Sequence, residues 1–193
     1  MKKLSIALLA LIAVTACDSS PKTSPEEQAK LRQNYDSLYE AVNQNWKVMM
    51  DDDDEKLFYM KRLLDEISYT NDFDSVLVDS LRSGISTLKS SRYDSMSMAD
   101  SEVIDQYDAA TAGLSQAITS LAQNHPEYSR YPLMEELIFD IMEANDRILL
   151  HRIRYDQAAR GYNTFVEGNK DVFDPTVSSK RPEKYPVFSL SGE

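Results

Sequence analysis

The sequence is poor in the residues that most chemistry needs. It holds one cysteine, Cys17, in 193 residues, so no disulfide can form within the chain. Two histidines, His125 and His151, make a poor zinc set unless carboxylates converge on them. Glycine occurs five times, and none of the five builds a phosphate-cradling loop or a nucleophile elbow. Ferritin-like di-iron bundles need Glu-x-x-His pairs on two helices, and the sequence has none. With no nucleophile and base to pair, the chain is expected not to be an enzyme and to carry no metal or cofactor. Positive charge is also short. Lys and Arg number 21 against 32 Asp and Glu, a formal net charge of −11. That balance repels nucleic acid and anionic headgroups alike, so no nucleic-acid partner is expected for the folded part.

Chain breakers are rare as well. Between Glu26 and Gly168 the only prolines are Pro126 and Pro132, and the glycines before Gly168 are Gly84, Gly113 and Gly161. So long a stretch with so few breakers predicts a helical body.

What is present begins at the N-terminus. Met1-Lys2-Lys3 gives a positive start, and Leu4 to Ala16 follow without a charge. This is the layout of a removable export signal over residues 1–16. A helix over those thirteen residues would be roughly 20 Å long, short of the ~30 Å hydrocarbon core of a bilayer. The run ends in Val14-Thr15-Ala16-Cys17, which resembles the lipobox of bacterial lipoproteins. That resemblance makes Cys17 the lipidated first residue of the mature chain, with the membrane as its partner through the acyl chains. The expected location is the exported side of the cell envelope, with inner and outer membrane both open. Asp18 to Pro25 is made mostly of serine, threonine and proline. It offers no core-forming side chain and completes a lipidated tether over residues 17–25.

Apolar periodicity then predicts an all-α, elongated antiparallel bundle of about four long helices over residues 26–168. Leu31, Tyr35, Leu38, Val42, Trp46 and Met49 form the first stripe, with Ser24, Pro25 and Glu27 as its capping box. A second segment carries Leu57, Met60, Leu64 and Ile67. A third carries Leu77, Leu81, Ile85 and Leu88, with Asp72 or Asp74 as cap. The fourth stripe, Val103, Tyr107, Ala110, Leu114, Ile118 and Leu121, stops at Asn124-His125-Pro126. The last helix runs from about Pro132 to Gly168. Met134, Ile141, Ile148, Tyr155 and Tyr162 are spaced by seven on it, as are Leu137, Ala144, His151, Ala158 and Phe165. Residues 169–193 read as an irregular, extended tail laid along the bundle.

The last helix also carries a family likeness. Asn145-Asp146-Arg147-Ile148, His151-Arg152-Ile153-Arg154-Tyr155-Asp156 and Gly161-Tyr162-Asn163-Thr164 resemble the LemA signature, roughly E-N-R-I, R-R-x-Y-N and x-Y-N-T. Leu114 to Leu121, His125-Pro126-Glu127-Tyr128, Glu135-Glu136-Leu137, Tyr35-Asp36-Ser37-Leu38 with Trp46, and Tyr185-Pro186-Val187-Phe188 extend the likeness over most of residues 34 to 188. One stretch departs from it: Asp51 to Tyr59, DDDDEKLFY, stands where the family has a basic R-R-x-D-L-I-P-N-L. The resemblance implies an elongated helical bundle held outside the cytoplasmic membrane, without an accepted catalytic site and associated with envelope functions. Cys17 would replace the family's transmembrane segment. The implied role is a scaffold or adaptor for an envelope protein partner; the alternative is a lipoprotein that captures a small molecule or envelope polymer between helices.

Several groups invite a functional reading beside a structural one. Asp51 to Asp54 with Glu55 could ligate Ca²⁺, but the run lacks the alternation and the glycine of an EF-hand, and a helix N-terminus would account for it. His151 is expected as a hydrogen-bonded boundary residue. Tyr35, Tyr155, Tyr162 and Asn163 could form a polar site, although their spacing argues for ties between helices. Arg147, Arg152 and Arg154 could grip an acidic partner or lipid phosphate. The expectation is internal pairing, with residues such as Asp146 and Asp156.

Overall fold

The computed structural model describes residues 24–170 and 182–188. The signal, Cys17 and nearly all of the tether lie outside the described residues, as do tail positions 171–181 and 189–193. The described residues form four α-helices and no strand: α1 Pro25–Ile67, α2 Ser75–Ser91, α3 Ser101–Gln123 and α4 Pro132–Gly168. The all-α bundle is therefore as expected.

Each helix starts where a side chain satisfies its free N–H groups or a proline removes one. Glu27 N–H donates to Ser24 Oγ at 3.2 Å and Ser24 N–H to Glu27 Oε2 at 2.8 Å, a complete capping box. Asp74, not Asp72, caps α2 by accepting from Leu77 N–H. Asp100 does the same for α3, accepting from Glu102 N–H. Pro132 occupies the first turn of α4.

The first correction concerns α1. The two segments expected on either side of the acidic run are one continuous helix of 43 residues, about 65 Å long at ~1.5 Å per residue. Its inner face reads Val42, Met49, Asp53, Lys56, Met60, Leu63, Leu64 and Ile67. The stripe is unbroken once a buried Asp and a buried Lys are admitted to it. A hydrophobic reading stops at those two residues, although the helix does not.

α4 runs antiparallel to α1 along its length: Tyr162 lies beside Tyr35, and Arg147 and His151 beside Asp52. Of the two heptad rows on α4, Met134, Ile141, Ile148, Tyr155 and Tyr162 are all buried. The second row is buried at Leu137 and Ala144 but only half-buried at His151, Ala158 and Phe165, where Ala159 and Val166 take the interior. A straight helix drifts by about 20° per heptad, so over four heptads one row rotates out and its neighbour rotates in.

α2 and α3 are about half as long and pack against the C-terminal half of α1, and Gly84 lets α2 approach Leu114 of α3. A Cβ there would sit 3.1 Å from Leu114 Cδ1. α3 touches α4 only sparsely, which leaves an open groove between them. At the loop end, His125 joins two connections. Its Nε2–H donates to the Asp72 carbonyl at 2.7 Å, and its Nδ1 accepts from Glu127 N–H at 3.1 Å. A carbonyl can only accept and an amide N–H only donate, so the ring is the neutral Nε2–H tautomer.

Residues 182–188 lie against α4, where Tyr185 meets Asn163 and Phe188 meets Asp156.

Candidate functional site

The acidic run is the centre of the ion-pair pattern, and its place is the second correction. Asp51 to Glu55 lie in the middle of α1, not at a helix N-terminus, so the helix dipole does not account for them. Successive residues of a helix point about 100° apart, and each carboxylate meets a different set of partners. Asp51 accepts from Lys47 Nζ at 2.6 Å on the surface. Asp52 faces α4, with Arg147 Nε at 3.0 Å. Asp53, 3% exposed, faces inward to Tyr107 Oη at 2.5 Å, Arg92 Nη1 at 3.2 Å and Lys56 Nζ at 3.3 Å. Asp54 meets Arg92 at 3.1 Å and Lys89 at 3.4 Å. Glu55 accepts from Tyr59 Oη at 2.9 Å and pairs with Arg147. The run ties α1 to α4, to α3 and to the end of α2. Among the described residues no three metal-ligating side chains converge.

Burial and neighbouring charge act on Tyr107, Tyr93 and Arg92. Burial, with the Asp53 charge next, pushes the Tyr107 hydroxyl well above its ordinary range, so it donates and does not act as a base. Burial likewise pushes Tyr93 up to about 12. Burial disfavours the charged Arg92, but the hydrogen bond it donates to Asp53 and the charges of Asp54 and Asp53 outweigh it and hold the guanidinium charged.

His151 sits at the boundary, as expected, but without the hydrogen bond expected of it. Its Nε2 is 3.0 Å from Asp52 Oδ2, yet Asp52 Oδ2 has no hydrogen-bond partner. The two groups are close enough to attract but are not aligned for a hydrogen bond. His151 Nδ1 is also buried without a partner.

Arg147 and Arg152 pair internally, but not with Asp146 and Asp156. Arg147 reaches Asp52 and Glu55 on α1. Arg152 grips Asp108 of α3 with two hydrogen bonds, of 2.6 and 2.7 Å, and a third reaches Tyr93 Oη at 2.9 Å. Its guanidinium lies 4.9 Å from the Phe188 ring centroid. The planar fork suits a carboxylate on a neighbouring helix better than one at short range along its own. Asp156 is taken instead by the tail, accepting from Phe188 N–H at 2.9 Å, and burial raises its pKa. Arg154 is exposed, with no ion-pair partner among the described residues.

Tyr35, Tyr155, Tyr162 and Asn163 do come together, and the chain's own tail occupies the place. Asn163 Nδ2–H donates to the Tyr185 carbonyl at 2.7 Å while its Oδ1 accepts from Tyr185 N–H at 2.9 Å. One side-chain amide thus satisfies both polar groups of a backbone unit. Tyr155 Oη donates to the Pro186 carbonyl at 3.1 Å, and Tyr162 Oη to Tyr35 Oη at 3.3 Å. Edge-on ring contacts complete the clasp: Trp46 to Tyr155 at 5.4 Å, Tyr155 to Phe188 at 5.8 Å and Tyr162 to Tyr185 at 5.0 Å.

Sequence reasoning missed Asp53, Tyr93, Tyr107 and Asp108 as partners in the ion-pair cluster. The available signal was a charged residue recurring at a core position of an otherwise apolar stripe. The α3–α4 groove holds about 630 Å³, and its walls combine Thr111, Ser115 and Gln116 with Met142 and Leu149, with no aromatic side chain. No helix among the described residues is long and apolar enough to cross a membrane. No protein-family model, curated protein or solved structure matches this chain.

Proposed function

We propose that this chain is a non-enzymatic bundle of the LemA type, anchored through acyl chains on Cys17 to a bacterial envelope membrane and serving there as a scaffold or adaptor for a protein partner. The carrying observation is the use made of the LemA-like segments. Tyr35 and Tyr162, 127 positions apart, share a hydrogen bond, and Asn163, Tyr155 and Asp156 hold Tyr185 to Phe188. Pieces of the resemblance that are distant in sequence meet, and each directs its polar group into the molecule. That is how an architectural motif behaves, and a catalytic one needs its groups free. The anchor rests on Met1 to Cys17, where a charged start, an apolar run and a small-residue junction precede the chain's one cysteine. The α3–α4 groove lacks the aromatic lining that capture of a ligand between helices would call for.

Membrane fractionation with Cys17→Ala tests the anchor. The parent protein is expected in the membrane fraction and the variant is expected unprocessed or unanchored; full membrane retention after signal removal would defeat the anchor. Crosslinking in intact cells followed by pull-down tests the scaffold role, which fails if no protein is recovered above background.

A further inference from the structure

α4 carries a second apolar row that the fold leaves uncovered. Phe139, Met142, Leu149, Leu150 and Ile153 are 64%, 62%, 52%, 46% and 57% exposed. At about 100° per residue these five fall within roughly 100° of arc, centred on Asp146. Five large apolar side chains on one face exceed the scattered exposure that any soluble protein tolerates. The row is also symmetric along the helix: Phe139 and Ile153 lie seven residues either side of Asp146, Met142 and Leu150 four either side.

The charges around the row are polarised. From Pro132 to Asp146, α4 has five acidic residues and no basic one; from Arg147 to Arg160 it has four arginines and one acidic residue, Asp156. A parallel pairing of two such helices would place acid against acid. An antiparallel pairing places the acidic half of each against the basic half of the other.

We propose that this face binds a second copy of the chain, the two α4 helices packing antiparallel about a two-fold axis at Asp146. Phe139 of one copy meets Ile153 of the other, and Met142 meets Leu149 on the same flank, each contact made twice by symmetry. A two-fold axis across the helices keeps each flank on its own side, so Glu136 lies opposite Arg154 of the other copy. Both are exposed, and neither has an ion-pair partner within its own chain among the described residues. Asp146 meets its own copy at the axis, a like-charge contact that weakens the pair.

Sedimentation velocity on the full chain carrying Cys17→Ser reads the association. Leu4 to Ala16 is the same in every variant, so differences between variants report α4. The parent is expected to dimerise by about 100 µM. Phe139→Asp with Ile153→Asp is expected to raise the dissociation constant on the order of a hundredfold, with helical circular dichroism unchanged because both positions are exposed. Arg154→Glu should weaken the dimer, Glu136→Arg added to it should restore it, and Asp146→Asn should tighten it. Introduced thiols read the direction: under mild oxidation Asp146→Cys alone should join two copies, and Phe139→Cys alone should not. The proposal is overturned by a monomer at every concentration, which would leave the face to a different chain. A dimer indifferent to the two aspartates would also overturn it, as would Phe139→Cys joining copies as readily as Asp146→Cys.

Discussion

The α1–α4 pair is built in two ways along its length. From about Val42 to Ile67, α1 is backed by α2 and α3 as well as α4, and its inner face is aliphatic, with Asp53 and Lys56 buried inside it. From Pro25 to Ala41 it has α4 and the tail segment alone, and the contacts there are rings: Tyr35, Tyr39, Tyr162 and Tyr185. Four helices enclose enough volume to bury charge, provided every charge is paired. Two helices and a strap do not, and large amphipathic rings fill the seam while keeping their hydroxyls near water. The same helix pair thus has a half locked by ions and a half closed by aromatics.

The largest effect expected on that contrast comes from Asp53→Ala. It leaves Lys56, 6% exposed, with an uncompensated buried charge, and Arg92 with Asp54 as its remaining carboxylate. Unpairing of this kind costs about 3–5 kcal/mol, read as a fall in the urea midpoint with the slope unchanged. An unchanged midpoint would show that the ion-locked half is not the stability-determining one. A smaller and local effect is expected from Asn163→Ala. Its two hydrogen bonds to Tyr185 contribute about 0.5–1.5 kcal/mol each. Hydrogen exchange at the Tyr185 amide should quicken by roughly tenfold or more, while amides from Val42 to Ile67 keep their protection.

The smallest effect is a pH response confined to the aromatic half. Hydrogen bonds and charge from Lys170 and Lys184 hold the Glu167 carboxyl down to about 2, and Lys184 belongs to the docked tail. A carboxyl depressed in the folded state stabilises above its ordinary value of 4.5 and loses that contribution as pH falls towards about 2. The Lys184 amide resonance should therefore shift in that window, and Glu167→Gln should remove the step. The pair is exposed, so added salt should reduce it.

How far the sequence spoke for each half follows from what is local. Caps and apolar rows are local, so the Ser24 box and the start of α4 at Pro132 were legible, as were the rows of α2 and α3 except at Leu77 and Ala110, which are exposed while their neighbours Val78 and Thr111 are buried. Asp53 and Lys56 were not, because a charge in a core position is stable only through Arg92 and Tyr107, 39 and 54 residues away. The same holds for Arg152: nothing in its own turn of helix names Asp108. The tyrosines and Asn163 were legible as ties between helices. What they tie, the tail carbonyls and amides, depended on where residues 182–188 settle.

The docked tail has a consequence in binding terms. Five hydrogen bonds, one exposed ion pair and a few ring contacts would give a free heptapeptide little affinity once its ordering cost is met. Eleven residues, 171 to 181, link this segment to the end of the described α4 region, and a covalent link that short supplies its ligand at roughly millimolar effective concentration. Occupancy of the clasp is therefore set by connectivity and does not change on dilution, whereas the α4 face fills only as the protein concentrates. One chain then carries two docking surfaces of opposite character: one whose occupancy is independent of concentration, the other a sensor of how many copies share the same space.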